Sequence, residues 1–160
     1  MKPKVYPQSA ACNLDPMSAV TGVFQLTVRH AETNEIVLSL RRQNLIVSNF
    51  RTQILHLFGG DDIADRYIDR IQIGTNGTAE AVTDVAITAP FDVAVTATYP
   101  SSTSVMFSGN LAVGDGNGVT YREAGLVFHN APVPLVARRT FDAIVKSAAF
   151  SWALSWTLSW

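Results

Sequence analysis

Ser151-Trp152-Ala153-Leu154-Ser155-Trp156-Thr157-Leu158-Ser159-Trp160 divides by parity. Trp152, Leu154, Trp156, Leu158 and Trp160 take one set of alternate positions, and Ser151, Ala153, Ser155, Thr157 and Ser159 take the other. Successive side chains of a strand point to opposite faces, so the stretch reads as a β-strand with one apolar face and one small, largely polar face. A helix would also stack tryptophans four apart. Leu154 and Leu158 argue against it, because they lie about 200° from their tryptophan neighbours around a helix and both sets would not be buried together. Three tryptophans and two leucines on one face require a deep apolar partner. This strand is therefore expected at the centre of the core.

Working outward, the rest of the chain shows short strand-like segments and one helical one. Leu135 to Lys146 is the strand before the tryptophan strand, and Asn130 to Pro134 is a loop limited by Pro132 and Pro134. Asp115-Gly116-Asn117-Gly118 is a hairpin turn signal, since these residues accept positive φ. It predicts that Val119 to Phe128 returns as the partner of the strand Ser104 to Leu111. Phe91 to Tyr99 alternates, with Phe91, Val93, Val95, Ala97 and Tyr99 on one side, and Pro100-Ser101-Ser102 is a turn. Residues 79–90 are irregular. Ile68 to Ile73 is a strand that ends at the loop Gly74-Thr75-Asn76-Gly77-Thr78.

Val20 to Arg29 and Glu35 to Leu40 form a β-hairpin around Ala31-Glu32-Thr33-Asn34, with Ile36, Leu38 and Leu40 sharing a face and Arg41-Arg42 closing it. Asn44-Leu45-Ile46-Val47 leads into a helix over Asn49 to Phe58. Ser48 is its N-cap, Phe50, Ile54, Leu57 and Phe58 are its apolar face, and Gly59-Gly60 is its stop. Short strands, one helix and no βαβ rhythm predict a mainly β fold: an antiparallel β-sandwich, jelly-roll-like, with one short α-helix and an extended N-terminal arm. Residues 1–18 carry Pro3, Pro7 and Pro16 among polar and small residues and form the arm, and residues 19–160 form a single domain. Two readings of the arm stand: a loose tail, or a segment that orders against a neighbouring subunit.

The chain has 160 residues, 48% hydrophobic and 16% charged, with a formal net charge of −1. Its length suits one domain with a sizeable core. So few charges leave little to solubilise a monomer's surface, which favours burial of some surface in an assembly. There is no global basic field for nucleic acid. Cys12 is the single cysteine, so no internal disulfide forms, and no Cys/His set has zinc spacing. Lys2 and Lys4 are not followed by an apolar run of signal-peptide length, and no stretch approaches a membrane span. Synthesis in the cytosol is expected.

Candidate chemistry is sparse. Glu123 lies between apolar strand positions, where a carboxylate serves as a general acid or base, or else as a structural partner of Arg138, Arg139 or Lys146. The structural role is favoured, because no second acid, nucleophile with a base, or metal set accompanies it. Asp61, Asp62, Asp65 and Asp69 are interleaved with Arg66 and Arg70; their spacing is not that of an EF-hand, and the arginines are the simpler partners. His30, His56 and His129 are scattered. The Gly74–Thr78 loop lacks the lysine of a phosphate-binding loop. No catalytic, cofactor-binding or metal-ligating residue is assigned. Most aromatics fall on core parities, and Tyr6, Tyr67 and Tyr99 are the exceptions able to stack on a sugar.

One ordered series is more specific than its parts. An Asn44-Leu45-Ile46 entry to a short helix ending near Leu57-Phe58-Gly59-Gly60 precedes Ile71-Gln72-Ile73-Gly74-Thr75-Asn76-Gly77-Thr78. Then follow Glu123-Ala124-Gly125-Leu126, Ala137-Arg138-Arg139-Thr140-Phe141, Ile144-Val145-Lys146 and the final Trp-x-Leu strand. Over residues 44–160 the chain resembles small virion structural proteins of tailed bacteriophages, found in tail, baseplate, fibre and neck assemblies. The resemblance implies a non-enzymatic β-sandwich subunit without cofactor. It would be made in the host bacterial cytoplasm and carried in the virion, contacting copies of itself and other virion proteins rather than nucleic acid or membrane. A capsid-decorating protein and a glycan-binding jelly-roll domain are the alternatives. A hydrolase centred on Glu123 would require a second acid across a pocket, about 5–10 Å away.

Overall fold

The computed structural model describes residues 20–60, 67–129 and 135–160. The chain runs β1 (Thr21–His30), β2 (Ile36–Gln43), β3 (Leu45–Ile46), α1 (Ser48–Phe58), β4 (Ile68–Gly74), β5 (Phe91–Ala94), β6 (Thr96–Ser101), β7 (Ser104–Leu111), β8 (Thr120–Phe128), β9 (Leu135–Val145) and β10 (Phe150–Ser159). Two five-stranded antiparallel sheets result, ordered β2-β1-β10-β7-β6 and β3-β9-β8-β4-β5. The expected mainly β sandwich with one helix is what forms. The arm at residues 1–18, the acidic run at 61–65 with Arg66, and the proline loop at 130–134 lie outside the described residues.

β10 is the middle strand of its sheet, for the reason its parity suggests. Trp152, Leu154, Trp156 and Leu158 are buried, and Trp156 and Leu154 lie opposite Phe24 and Leu26 of β1. The Trp156 and Phe24 rings sit 5.1 Å apart, and Trp152 meets Tyr121 of the other sheet edge-on at 5.6 Å. Ile71, Ile73, Ala124, Leu126 and Phe128 complete the core from that second sheet. Trp160 departs from the expected face: it follows the last strand residue, is 58% exposed, and is held by its backbone N–H to the Thr103 carbonyl at 3.0 Å.

The β1–β2 hairpin forms as expected around residues 31–34. Its apolar alternation is only partly used. β2 is an edge strand with a register shift near Val28–Arg29, so Leu40 packs on the core while Ile36, Val37 and Leu38 stay exposed.

Three expectations about connections are corrected. The Asp115–Gly118 turn does not join a hairpin. β7 pairs with β10 and β6, whereas β8 pairs with β9 and β4, so the turn carries the chain from one sheet to the other. Turn chemistry reverses a chain locally but does not choose the strand it returns to. Phe91 to Tyr99 is two strands: β5 pairs with β4, β6 pairs with β7, and the chain changes sheets at Val95, whose N–H bonds to the Asp69 carbonyl at 3.0 Å. Pro100 and Ser101 belong to β6, an edge strand that tolerates proline.

The chain also changes sheets at Asn44, between β2 and β3, as it does at Val95 between β5 and β6. Both corners need a strand with no side chain beneath them. A Cβ on Gly22 would collide with the Asn44 side chain, and one on Gly109 would stand 2.5 Å from the Ala94 carbonyl.

α1 closes one end of the sandwich. Phe50 is buried and stacks on Phe128 at 6.4 Å, and Ile54 packs beside it. Ser48 is the first helical residue rather than the cap; Val47 occupies the cap position, extended, with no side-chain cap bond. The apolar face is narrower than its spacing suggests. Gln53 is buried while Phe58 is 83% exposed, because the helix outruns the sheet it rests on. Gly59 and Gly60 end it, their N–H groups bonding to the Leu55 and Leu57 carbonyls.

Candidate functional site

Alternation along β8 sends Ala124, Leu126 and Phe128 into the main core and Glu123 and Val127 to the opposite face of the sheet. That face is covered by the irregular segment after β4. Ile87 packs there with Val47, Val127 and Leu135. Glu123 is fully buried beneath the segment, and both its oxygens are used. Oε1 accepts from the N–H groups of Asn76 (3.1 Å) and Thr88 (2.9 Å), and Oε2 accepts from Arg138 Nε at 2.7 Å.

Arg138, also buried, reaches Asp84 Oδ2 at 2.8 Å and the Thr78 carbonyl at 3.1 Å. Burial works against its charge, but hydrogen bonds to Glu123 and Asp84 more than offset this and raise its pKa. Of the three cations proposed as partners for Glu123, Arg138 is the one it meets. Arg139 turns toward Glu80 at 3.5 Å. Lys146 follows β9 and reaches toward the loop between β7 and β8, its ammonium donating to Asn117 Oδ1 and to the Ser147 carbonyl, each at 3.1 Å. Its pKa is lowered by burial.

The Gly74–Thr78 loop is thus a turn pinned to the sheet by a buried ion pair. Asp84 was not singled out by sequence. It stands 54 residues from Arg138 and lies in a segment without periodicity, so no spacing signal marks it.

A second polar cluster sits on the outer edge of the same sheet. Arg70 grips Asp69 with two bonds, Nε to Oδ1 at 2.8 Å and Nη2 to Oδ2 at 2.7 Å, and extends Nη1 to Asp92 at 3.0 Å. His129 Nδ1 lies 2.7 Å from Asp69 Oδ2, and the Tyr67 ring stacks on His129 at 4.9 Å. Burial opposes ionisation of Asp69, yet the hydrogen bonds from Arg70 and His129 outweigh it and hold the carboxyl below its usual 3.8. The arginine expected to partner Asp69 does so. His129 joins through the β4–β8 pairing, which places residues 60 positions apart side by side. An Asp–His pair orients an imidazole, but among the described residues no hydroxyl or thiol hydrogen-bonds to His129. His30 meets Phe150 edge-on, and His56 lies on the exposed side of α1. Among the described residues no three His, Cys, Asp or Glu are grouped to hold a metal ion, and no helix is long and apolar enough to cross a membrane.

Several large apolar side chains remain outside. Leu55 and Phe58 protrude from α1, Ile36, Val37 and Leu38 from β2, and Tyr99 and Trp160 from the β6 side of the sandwich. Tyr99 and Trp160 border a groove of about 180 Å³ that also meets Ser101, Thr103 and Ser104. Comparison with protein-family models, curated proteins and solved structures finds no match to this chain.

Proposed function

We propose that the chain is a non-enzymatic structural subunit of a tailed bacteriophage virion, an oligomeric adaptor or attachment module of the tail, baseplate, fibre or neck. The carrying observation is the distribution of exposed apolar side chains over α1, β2 and the β6 edge of a low-charge sandwich, a pattern suited to burial between subunits. The polar constellation that could have served chemistry supports the same reading. Glu123 spends both oxygens on Arg138 and two backbone amides, and holds a loop in place.

Light scattering across a concentration series tests this reading. A discrete oligomer is expected, three copies pointing to a fibre and six or twelve to a ring. Removing residues 1–18 should weaken assembly and leave the melting temperature of the domain in place. A strict monomer that is absent from purified particles would sink the proposal. Co-purification with heads rather than tails would move it to a capsid-decorating protein.

The Tyr99–Trp160 groove favours a second reading, a glycan-binding sandwich. Two exposed rings there offer stacking faces, and Ser101 Oγ and Ser104 Oγ, 2.8 Å apart, offer hydroxyls. Saturable binding on a glycan array that disappears in Trp160→Ala would support it.

A further inference from the structure

Between β2 and β9 the two sheets leave a trench. One cleft of about 320 Å³ is lined by Leu40, Arg42, Arg139, Phe141 and Asp142 among others, and the adjoining one, about 480 Å³, by Arg41, Arg42 and Arg139. The two adjoin, sharing Arg42 and Arg139 in their linings. The aliphatic stem of Arg122 lies against Gly77, which lines the first cleft.

These cations are poorly compensated. Among the described residues Arg41, Arg42 and Arg122 form no ion pair. Arg139 comes no nearer than 3.5 Å to Glu80, and its Nε is buried without a hydrogen-bond partner. Glu80 Oε1 is already engaged by the N–H and hydroxyl of Thr140. Arg41, Arg42 and Arg139 thus line the clefts beside Asp142, in a chain whose net charge is −1. A trench so charged, with Leu40 and Phe141 in its wall, fits an acidic segment that also carries an apolar side chain.

The chain contains such a segment. Asp61-Asp62-Ile63-Ala64-Asp65 holds three carboxylates in five residues around Ile63, the densest acidic run in the sequence. Tyr67, the first described residue after the segment, sits at the end of β4 where Ile68 pairs with Phe128. The trench lies at the other end, where Gly74 is opposite Glu123 and Glu123 is opposite Thr140. Ile68 and Gly74 are six residues apart, about 20 Å of strand.

We infer that the arginine trench of one copy receives the acidic segment 61–65 of a second copy. The contact joins two different patches, so it is head-to-tail, and successive copies close into a ring when the rotation permits. This rests on the reading of the chain as an oligomeric subunit and names the contact that would build the oligomer.

Charge reversal tests it, with mass measured by light scattering at low and high salt. Arg41→Glu with Arg42→Glu, and separately Asp61→Lys with Asp62→Lys and Asp65→Lys, should each weaken self-association at least about tenfold. Mixing the two variants should restore assembly with the copies alternating, because each intact trench meets an intact segment and each reversed trench meets a reversed one. Carrying both sets of changes in one chain should restore the oligomer. Arg41→Gln with Arg42→Gln, which deletes charge on an exposed strand without reversing it, should weaken association less, with the melting temperature reporting that the domain is folded. An oligomer indifferent to all these changes would overturn the inference and leave the subunit reading standing. A wild-type monomer at every concentration would overturn the inference, and together with absence from purified particles it would overturn the subunit reading as well.

Discussion

Glu123 and Arg138 show what a buried charge requires. Each is almost wholly removed from water, and each is matched by a partner and by further hydrogen bonds. Glu123→Gln retains the shape and one acceptor but turns either an amide N–H₂ or a weaker carbonyl toward Arg138. The guanidinium then keeps Asp84 and loses its buried partner. A loss of about 3–5 kcal/mol in urea unfolding is expected, the usual result of removing one member of a buried pair. A change under about 1 kcal/mol would show that the pair does not anchor the 75–88 segment. The pairing was half legible in sequence. Glu123 stood out as a carboxylate at an apolar strand position, and Arg138 was among its possible cations. The choice among Arg138, Arg139 and Lys146 depends on β8–β9 register, which shifts between Tyr121 and Glu123 and is written in no local spacing.

At the scale of elements, parity carried most of the information. Alternation located β4 and β10, because the side-chain period of a strand is two. It failed where one alternating run serves two sheets. Phe91 to Tyr99 alternates throughout, yet bends at Val95. The bend rests on Gly109, whose missing side chain admits the Ala94 carbonyl. Gly109→Ala should therefore destabilise the domain by about 1–3 kcal/mol, the range for forcing atoms into a packed site. Gly114→Ala, where an added Cβ meets nothing within 4 Å, is the control and should barely move the melting temperature. Equal effects at the two positions would contradict the role given to the corner.

For the molecule as a whole, the acidic groups set a direction of pH dependence. Asp69 and Glu80 are both held below their usual values of 3.8 and 4.5. Burial opposes ionisation at each, and it is outweighed by Arg70 and His129 at Asp69 and by Thr140 and Arg139 at Glu80. A carboxyl with a depressed folded pKa contributes stability that is complete above its unfolded value and is lost as pH falls through the folded one. The melting temperature should hold steady as pH is lowered to about 4.5 and decline below it. Asp69→Asn should flatten part of that decline. An acid limb unchanged in this variant would show that the Asp69 cluster does not contribute.

The sequence by itself determined the class of the fold, the central place of the tryptophan strand, the single helix and the shortage of surface charge, because periodicity and composition are local properties of the chain. Tertiary structure alone decided which strands are neighbours, where the chain changes sheets, that Phe58 and Trp160 lie outside the core, and that His129 meets Asp69. It also decided that Arg41, Arg42 and Arg139, nearly 100 residues apart in the chain, border one trench. Each of these depends on register between distant segments, and register is selected by the packing of the whole core rather than by any stretch within it.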